Sequence, residues 1–136
     1  VWAMGQADPP LRPKRAVILA SFASIQYIMD NGRQLIGGSE GLLKAIDDHI
    51  EHISGKRIAE YDLTVAAQKL ADVQALLIHD RGDRVTHFAE SEKLHAAWPG
   101  ARFWATEGFG HGLTAPEVVD AVLAFAQGKD LMAIRL

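Results

Sequence analysis

The chain alternates short apolar runs with segments in which apolar residues recur at helical spacing. The run at residues 16–20 contains no polar residue, and further strands, in which apolar residues predominate, are predicted at 73–78 and 102–106. Continuous apolar runs of this length are typical of strands that are covered on both faces. Because helical segments separate the three runs, we predict an α/β fold with a short parallel sheet and right-handed crossovers.

The helical segments carry start and stop signals. Ser24 is the predicted cap of a helix that begins at Ile25, and Ser39 and Gly55 bound a second helix from Glu40 to Ser54. Further helices are predicted at 61–70, at 86–97 and after Thr114, where Thr114 and Glu117 form a possible capping box. The last helix should bury a stripe made of Val118, Val119, Val122, Leu123 and Ala126.

Two polar residues stand just beyond the ends of neighbouring predicted strands. Asp83 follows the second strand in a His-Asp-Arg-Gly-Asp-Arg-Val loop, and His111 follows the third in Glu-Gly-Phe-Gly-His. Open α/β sheets bind ligands at the carboxyl ends of their strands. A carboxylate that orients an imidazole, and an imidazole that accepts a proton, are two members of a hydrolytic triad. We therefore predict that Asp83 and His111 are catalytic and touch each other; the alternatives are a turn residue and a polar loop residue.

The stretch from Lys14 to Gln127 resembles the C-terminal part of an α/β-hydrolase, and the strongest similarity runs from Leu76 to Phe125. The acid and the histidine lie 28 positions apart, which leaves room for one helix and one strand. The resemblance implies a three-layer domain of about three strands at 14–127, with cap-like helices at 25–54. We expect residues 1–13 to be an extended N-terminal arm and 128–136 a C-terminal tail. The resemblance also assigns Asp83 as the triad acid and His111 as the triad base. It places the nucleophile on an earlier strand, and the segment before Lys14 is too short to hold that strand.

Three serines are alternative nucleophiles. Gly37-Gly38-Ser39-Glu40-Gly41 matches G-x-S-x-G, but the motif requires a strand before the serine, and the preceding residues keep helical spacing. We therefore favour Ser39 as a helix cap. Ser21 and Ser24 follow the first strand and are predicted to be a polar strand tip and a helix cap.

Two clusters of aspartate and histidine resemble metal sites. One is His79-Asp80-Arg81-Gly82-Asp83 with His87; the other is Asp47-Asp48-His49 with Glu51 and His52. Metal sites need ligands that converge from rigid elements, whereas the first cluster lies largely in one turn and the second on the polar face of one helix. We predict a hydrogen-bonded histidine and a turn-forming Asp80 in the first, a solvated surface in the second, and no metal or other cofactor.

Composition limits the class of protein. With 136 residues, 49% hydrophobic, the chain is long enough for one domain or part of one. A net charge of −3 without a basic stripe argues against nucleic acid, and the absence of cysteine excludes thiol chemistry. No apolar run approaches the roughly 18 residues of a membrane span. We expect a soluble, cytoplasmic protein.

Three functional hypotheses follow. The first is a hydrolase segment that acts on a small-molecule acyl substrate once an N-terminal half completes it, and that is inactive alone. The second is a non-catalytic fragment that forms a homo-oligomer through an open sheet edge at the first strand. The third is a complete small serine hydrolase that uses Ser39.

Overall fold

The computed structural model describes residues 1–129, and the side chains of residues 35 and 36 are left out of the description. The elements follow in the order α1 (Trp2–Gln6), β1 (Arg15–Leu19), α2 (Ile25–Ile36), α3 (Glu40–Ser54), α4 (Leu63–Ala67), β2 (Gln74–Asp80), α5 (Phe88–Ala97), β3 (Arg102–Thr106) and α6 (Pro116–Ala126), with 3-10 turns at Pro9–Leu11 and Ile58–Glu60.

The three strands form one parallel sheet in the order β1-β2-β3. Ala16 is in register with Ala75 across the first pair, and Leu76 with Arg102 across the second. Helices cover both faces of this sheet, so the predicted α/β fold with a short, three-stranded parallel sheet is confirmed. β2 lies in the centre of the sheet, and its carboxyl end leads into the loop that carries Asp83.

Residues 75–80 of β2 are all buried, and their side chains point alternately to the two faces of the sheet, which divides the core into two layers. Ala75 and Leu77 face a cluster that α4 and α5 complete through Leu63, Leu94 and Trp98. Leu76 and Ile78 face the opposite cluster, which α6 completes through Val118 and Phe125. By the same alternation the next two residues of β2, His79 and Asp80, point to opposite faces of the sheet.

The two helices after β1 have the predicted caps. The Ser24 hydroxyl accepts a hydrogen bond from the N–H of Tyr27 at 3.2 Å, and the Ser39 hydroxyl accepts one from the N–H of Leu42 at 3.2 Å. α3 ends at Gly55, which has a left-handed φ of 72°. The start predicted for α2 and both bounds predicted for α3 agree with the structure.

The prediction of an extended arm at residues 1–13 is wrong. Its first part is the helix α1, and a 3-10 turn follows at Pro9–Leu11. α1 packs so closely on α4 that a Cβ built on Gly5 would lie 2.8 Å from the Cβ of Ala66. Tertiary contact of this kind stabilises a five-residue helix that its own sequence does not mark. Of the predicted tail, 128–136, residues 130–136 lie outside the described residues.

The start and the buried face of α6 also differ from the prediction. Pro116 occupies the first helical turn, Ala115 is the N-cap, and no side chain caps the helix, so Thr114 and Glu117 do not form a capping box. The buried residues of α6 are Val118, Ala121 and Phe125, whereas Val119 and Leu123 are about half exposed. The face that carries the large aromatic ring is the one that packs on the sheet.

Within residues 1–129 no helix is both long enough and apolar enough to cross a bilayer.

Candidate active site

Asp83 is held in a tight turn directly after β2. Its backbone N–H donates to the carbonyl of Asp80 at 3.1 Å. One carboxylate oxygen, Oδ1, accepts hydrogen bonds from the N–H groups of Val85 at 2.7 Å and Thr86 at 3.1 Å. The side chain is fully buried. The turn therefore fixes the carboxylate and leaves its second oxygen, Oδ2, for another partner.

That partner is His111. Its Nδ1 lies 2.8 Å from Oδ2 of Asp83, and its side chain is 43% exposed. Because a carboxylate oxygen only accepts, Nδ1 carries the hydrogen, which leaves Nε2 as the free acceptor of a neutral ring. No residue in the described part of the chain forms a hydrogen bond with Nε2. The structure thus brings Asp83 and His111 together as predicted, while their catalytic role stays a prediction.

The environment of Asp83 keeps it ionised. Burial alone raises the pKa of this carboxyl, but hydrogen bonds from His111 and from the N–H groups of Val85 and Thr86 outweigh burial. The pKa of Asp83 therefore lies below its ordinary value. A negative charge at this position stabilises a protonated imidazole, which is what a general base becomes after it accepts a proton.

Asp80 links the ends of β2 and β3. Its Oδ2 accepts hydrogen bonds from the Thr106 hydroxyl at 3.0 Å and the Phe109 N–H at 2.8 Å, and its Oδ1 accepts from the Gly82 N–H at 2.9 Å. Burial alone raises the pKa of Asp80, but hydrogen bonds from Phe109, Thr106, Gly82 and Gly110 hold it below its ordinary value. Asp80 forms the predicted turn and also anchors the loop that carries His111.

His79 lies on the other face of β2 and is fully buried. Its Nδ1 is 2.6 Å from the Ser91 hydroxyl on α5, and its Nε2 is 3.0 Å from the carbonyl oxygen of Thr86. Ser91 in turn donates to the carbonyl of Ser21, just beyond β1. The prediction of a hydrogen-bonded histidine at the sheet end agrees with these contacts.

Local sequence gives little warning of the partners of Asp80 and His79. Phe109 is 29 positions from Asp80, and Ser91 is 12 positions from His79. The sequence offers one signal: the polar pair His79-Asp80 ends a buried apolar strand, and buried polar groups require hydrogen-bond partners.

The three candidate serines have other structural roles. Ser39 caps α3 and is preceded by helix α2 rather than by a strand. Ser24 caps α2, and the Ser21 hydroxyl donates to the carbonyl of Phe22 at 3.0 Å. Within residues 1–129 no serine hydroxyl forms a hydrogen bond with His111.

The carboxylates of the second aspartate and histidine cluster face a cation. Arg57 contacts Asp47 at 2.9 Å, Glu51 at 2.6 Å and Asp48 at 3.5 Å on the exposed surface of α3. In the first cluster, the backbone N–H of His87 donates to the Tyr27 hydroxyl at 2.9 Å. Among the residues described, no group of three acidic or histidine side chains has the geometry to hold a metal ion.

The parallel sheet and the contact between Asp83 and His111 agree with the predicted resemblance to the C-terminal part of α/β-hydrolases. Comparison with known proteins supports this resemblance. The chain is 31% identical to a proline iminopeptidase of Xanthomonas citri over 83 residues, which are 61% of this chain and 26% of that protein. It is 32% identical to a proline iminopeptidase of Xylella fastidiosa over 78 residues, or 57% of this chain and 25% of that protein.

Solved structures show the same fold. A putative non-heme bromoperoxidase, BpoC, from Mycobacterium tuberculosis superposes with a TM-score of 0.56 at 20% identity, over 89% of this chain and 60% of that one. The structure of Rv0554 from the same organism gives 0.56 at 16% identity, over 89% and 59%. No family model matches the chain. Over part of its length, the chain is therefore related to the α/β-hydrolase superfamily.

The coverage of the relatives is partial. The chain spans about a quarter of the length of the proline iminopeptidases it matches and about 60% of the bromoperoxidase chain.

Proposed function

We propose that this segment supplies the acid and the general base of a Ser-His-Asp triad for the hydrolysis of esters or related acyl compounds. The observation that carries the proposal is the 2.8 Å contact between Nδ1 of His111 and Oδ2 of Asp83, at the ends of two adjacent parallel strands. The similarity to proline iminopeptidases supports a hydrolase and does not indicate which substrate this chain would act on.

In the proposed mechanism Asp83 holds His111 in the Nδ1–H tautomer. The free Nε2 then accepts the proton of a serine hydroxyl as that hydroxyl attacks the acyl carbon. Asp83 stays ionised and stabilises the imidazolium that results, which agrees with its lowered pKa. His111 finally returns the proton to the leaving group.

The nucleophile and the oxyanion donors would come from outside residues 14–127. Ser39 and Ser24 are occupied as helix caps. Without a nucleophile or oxyanion donors, an acid and a base give little turnover. The proposal therefore includes a second part of the enzyme, in the same polypeptide or in another, that joins this one.

Strand β1 is the proposed joining edge. Within residues 1–129, β1 pairs only with β2, so its other edge presents unpaired backbone groups. Leu19 at its end is 44% exposed. α6 packs against β1 and leaves Val119 and Leu123 exposed by 47% and 52%. An apolar surface beside an open strand favours a further strand and helix packed against both.

The first test is the chain alone with a nitrophenyl ester. We expect no burst of nitrophenol and no labelling by a fluorophosphonate probe. A burst that survives Ser39→Ala but disappears in His111→Ala would contradict the inactivity of the isolated chain. A burst that disappears in Ser39→Ala would instead support the complete small hydrolase.

The second test is a chimera in which residues 14–127 replace the corresponding part of the Xanthomonas citri proline iminopeptidase. We expect ester hydrolysis that His111→Ala or Asp83→Asn lowers by about four orders of magnitude, the size of loss typical of a triad. The control is His95→Gln, because among the described residues the His95 ring forms a hydrogen bond only with the carbonyl of Ala101. An active chimera that tolerates His111→Ala would refute the proposal.

The open edge of β1 also favours a second candidate, a non-catalytic fragment that self-associates. It predicts a two-fold interface on residues 16–20, which sedimentation of the chain and of a Val17→Pro variant would detect. The N–H of Ala20 donates to Ile78 on β2, so by alternation the N–H of Val17 faces the open edge, and proline removes that donor. A monomer at micromolar concentration would exclude it. A cytoplasmic location remains part of the proposal.

A further inference from the structure

The carboxylate of Asp83 has a second histidine beside it. Nε2 of His79 lies 3.0 Å from Oδ2 of Asp83, the same oxygen that contacts His111. Both side chains are completely buried. The acid of the proposed triad is therefore in contact with one buried and one half-exposed imidazole.

The partners of His79 determine where its hydrogen lies. Nε2 faces the carbonyl oxygen of Thr86 and the carboxylate of Asp83, each at 3.0 Å, and both of these groups only accept. Nε2 therefore carries a hydrogen whether the ring is neutral or charged. The Ser91 hydroxyl has one hydrogen: with a charged ring it accepts from Nδ1 and donates to the Ser21 carbonyl, and with a neutral ring it donates to Nδ1 instead.

The hydrogen bond from His79 to Thr86 acts on the turn that holds the acid. The N–H of Thr86 donates to Oδ1 of Asp83 at 3.1 Å, and its carbonyl accepts from Nε2 of His79. His79 is itself fixed by Ser91 and by the ring of Phe88, whose centroid is 5.7 Å away. One rigid ring thus contacts the acid directly and also fixes a residue that binds its other oxygen.

We propose that His79 is a positioning residue for the acid: through Thr86 and through its contact with Oδ2, it holds the Asp83 carboxylate in the orientation that keeps His111 in the Nδ1–H tautomer. The catalytic meaning of this role rests on the proposed function, but the effect on the tautomer of His111 does not. A histidine that merely fills space at the sheet end would have no influence on that tautomer.

The test uses two amides of different reach in the full chain. The amide nitrogen of His79→Gln reaches the place of Nε2, whereas that of His79→Asn reaches only the place of Nδ1. Nitrogen-15 chemical shifts of the histidine rings, at a pH where His111 is neutral, give the tautomer of each ring. Backbone spectra and chemical denaturation show whether each variant is folded.

In the wild type we expect Nε2–H for His79 and Nδ1–H for His111. In His79→Gln the Nδ1–H tautomer of His111 should still predominate. In His79→Asn that tautomer should no longer predominate. Ser91→Ala is the matched control, because it removes the contact at Nδ1 of His79 and leaves the Nε2 hydrogen in place. If His79→Asn does not fold, His79→Met takes its place as the variant without a donor.

Two outcomes would overturn the proposal. One is a wild-type His79 whose hydrogen is on Nδ1 alone. The other is a folded His79→Asn or His79→Met variant in which His111 remains Nδ1–H as in the wild type.

The chimera separates this inference from the proposed function. There, His79→Asn should lower kcat about tenfold, the equivalent of one hydrogen bond, with KM unchanged. If the chimera tolerates His111→Ala, the proposed function fails while the tautomer result stands. If it requires His111 and His79→Asn changes neither kcat nor the tautomer, only the role of His79 fails.

Discussion

Two clusters in this chain have nearly the same composition and very different physical chemistry. The segment 47–52 and the segment 79–83 each combine two aspartates with at least one histidine. On α3 the aspartates are partly exposed and contact Arg57 directly. At the end of β2, Asp80 and Asp83 are buried and accept hydrogen bonds from fixed backbone donors. Burial, rather than residue type, makes the second cluster a candidate for chemistry.

The largest contrast should appear when one aspartate in each cluster loses its charge. Asp80→Asn replaces a buried carboxylate that accepts from Gly82, Thr106 and Phe109, and it should destabilise the fold by about 1.5–3 kcal/mol. Asp48→Asn should lower the denaturation midpoint only slightly, because exposed ion pairs contribute little. Urea denaturation of both variants at neutral pH is the measurement.

The dependence of this contrast on pH follows from the direction of the pKa shift. The pKa of Asp80 is lower in the folded protein than its ordinary value, near 4, so the stabilisation is complete above that pH. It should be lost as the pH falls through the folded value. The difference between the wild type and Asp80→Asn should therefore shrink below about pH 4. A difference that stays constant from pH 7 to pH 3 would show that the charge of Asp80 does not contribute.

Added salt should also distinguish the exposed cluster on α3 from the buried cluster at the end of β2. The pKa of Asp48 is also lowered, first by the hydrogen bond from Lys44 on the exposed surface of α3. About 0.5 M sodium chloride should remove any effect of Asp48→Asn, because salt screens exposed charges. The effect of Asp80→Asn should persist, because its donors are fixed and buried. Equal salt sensitivity of the two variants would contradict the distinction.

Features that depend on local sequence could be predicted. Ser24, Ser39 and Gly55 act through hydrogen bonds or dihedral angles within a few residues, so the start of α2 and both ends of α3 were predictable. The contact between Asp83 and His111 was predictable because adjacent parallel strands bring their carboxyl ends to one edge of the sheet.

Features that depend on distant partners could not be predicted. α1 is stabilised by packing of Gly5 on Ala66, and nothing in residues 1–13 indicates that neighbour. The anchoring role of Asp80 requires Phe109 from the loop after β3. The prediction of a capping box was wrong for a different reason: Pro116 starts α6, so the N-cap is Ala115 rather than Thr114.

The smallest expected effect compares two glycines, one beside His111 and one before α3. Gly110 and Gly37 have the same φ of 64°, and a Cβ built on either would meet no atom within 4 Å. Gly110→Ala and Gly37→Ala should therefore each cost about 1 kcal/mol, from backbone strain alone.

The site should distinguish these two glycine variants. Gly110 lies between Phe109, whose N–H donates to Asp80, and His111, so Gly110→Ala should disturb the Nδ1–H tautomer of His111 in nitrogen-15 spectra. Gly37→Ala serves as the control for strain and should leave that tautomer unchanged. If both variants changed the His111 signals equally, His111 would be reporting loss of global stability, and the loop that Asp80 anchors would have no separate part in holding the imidazole.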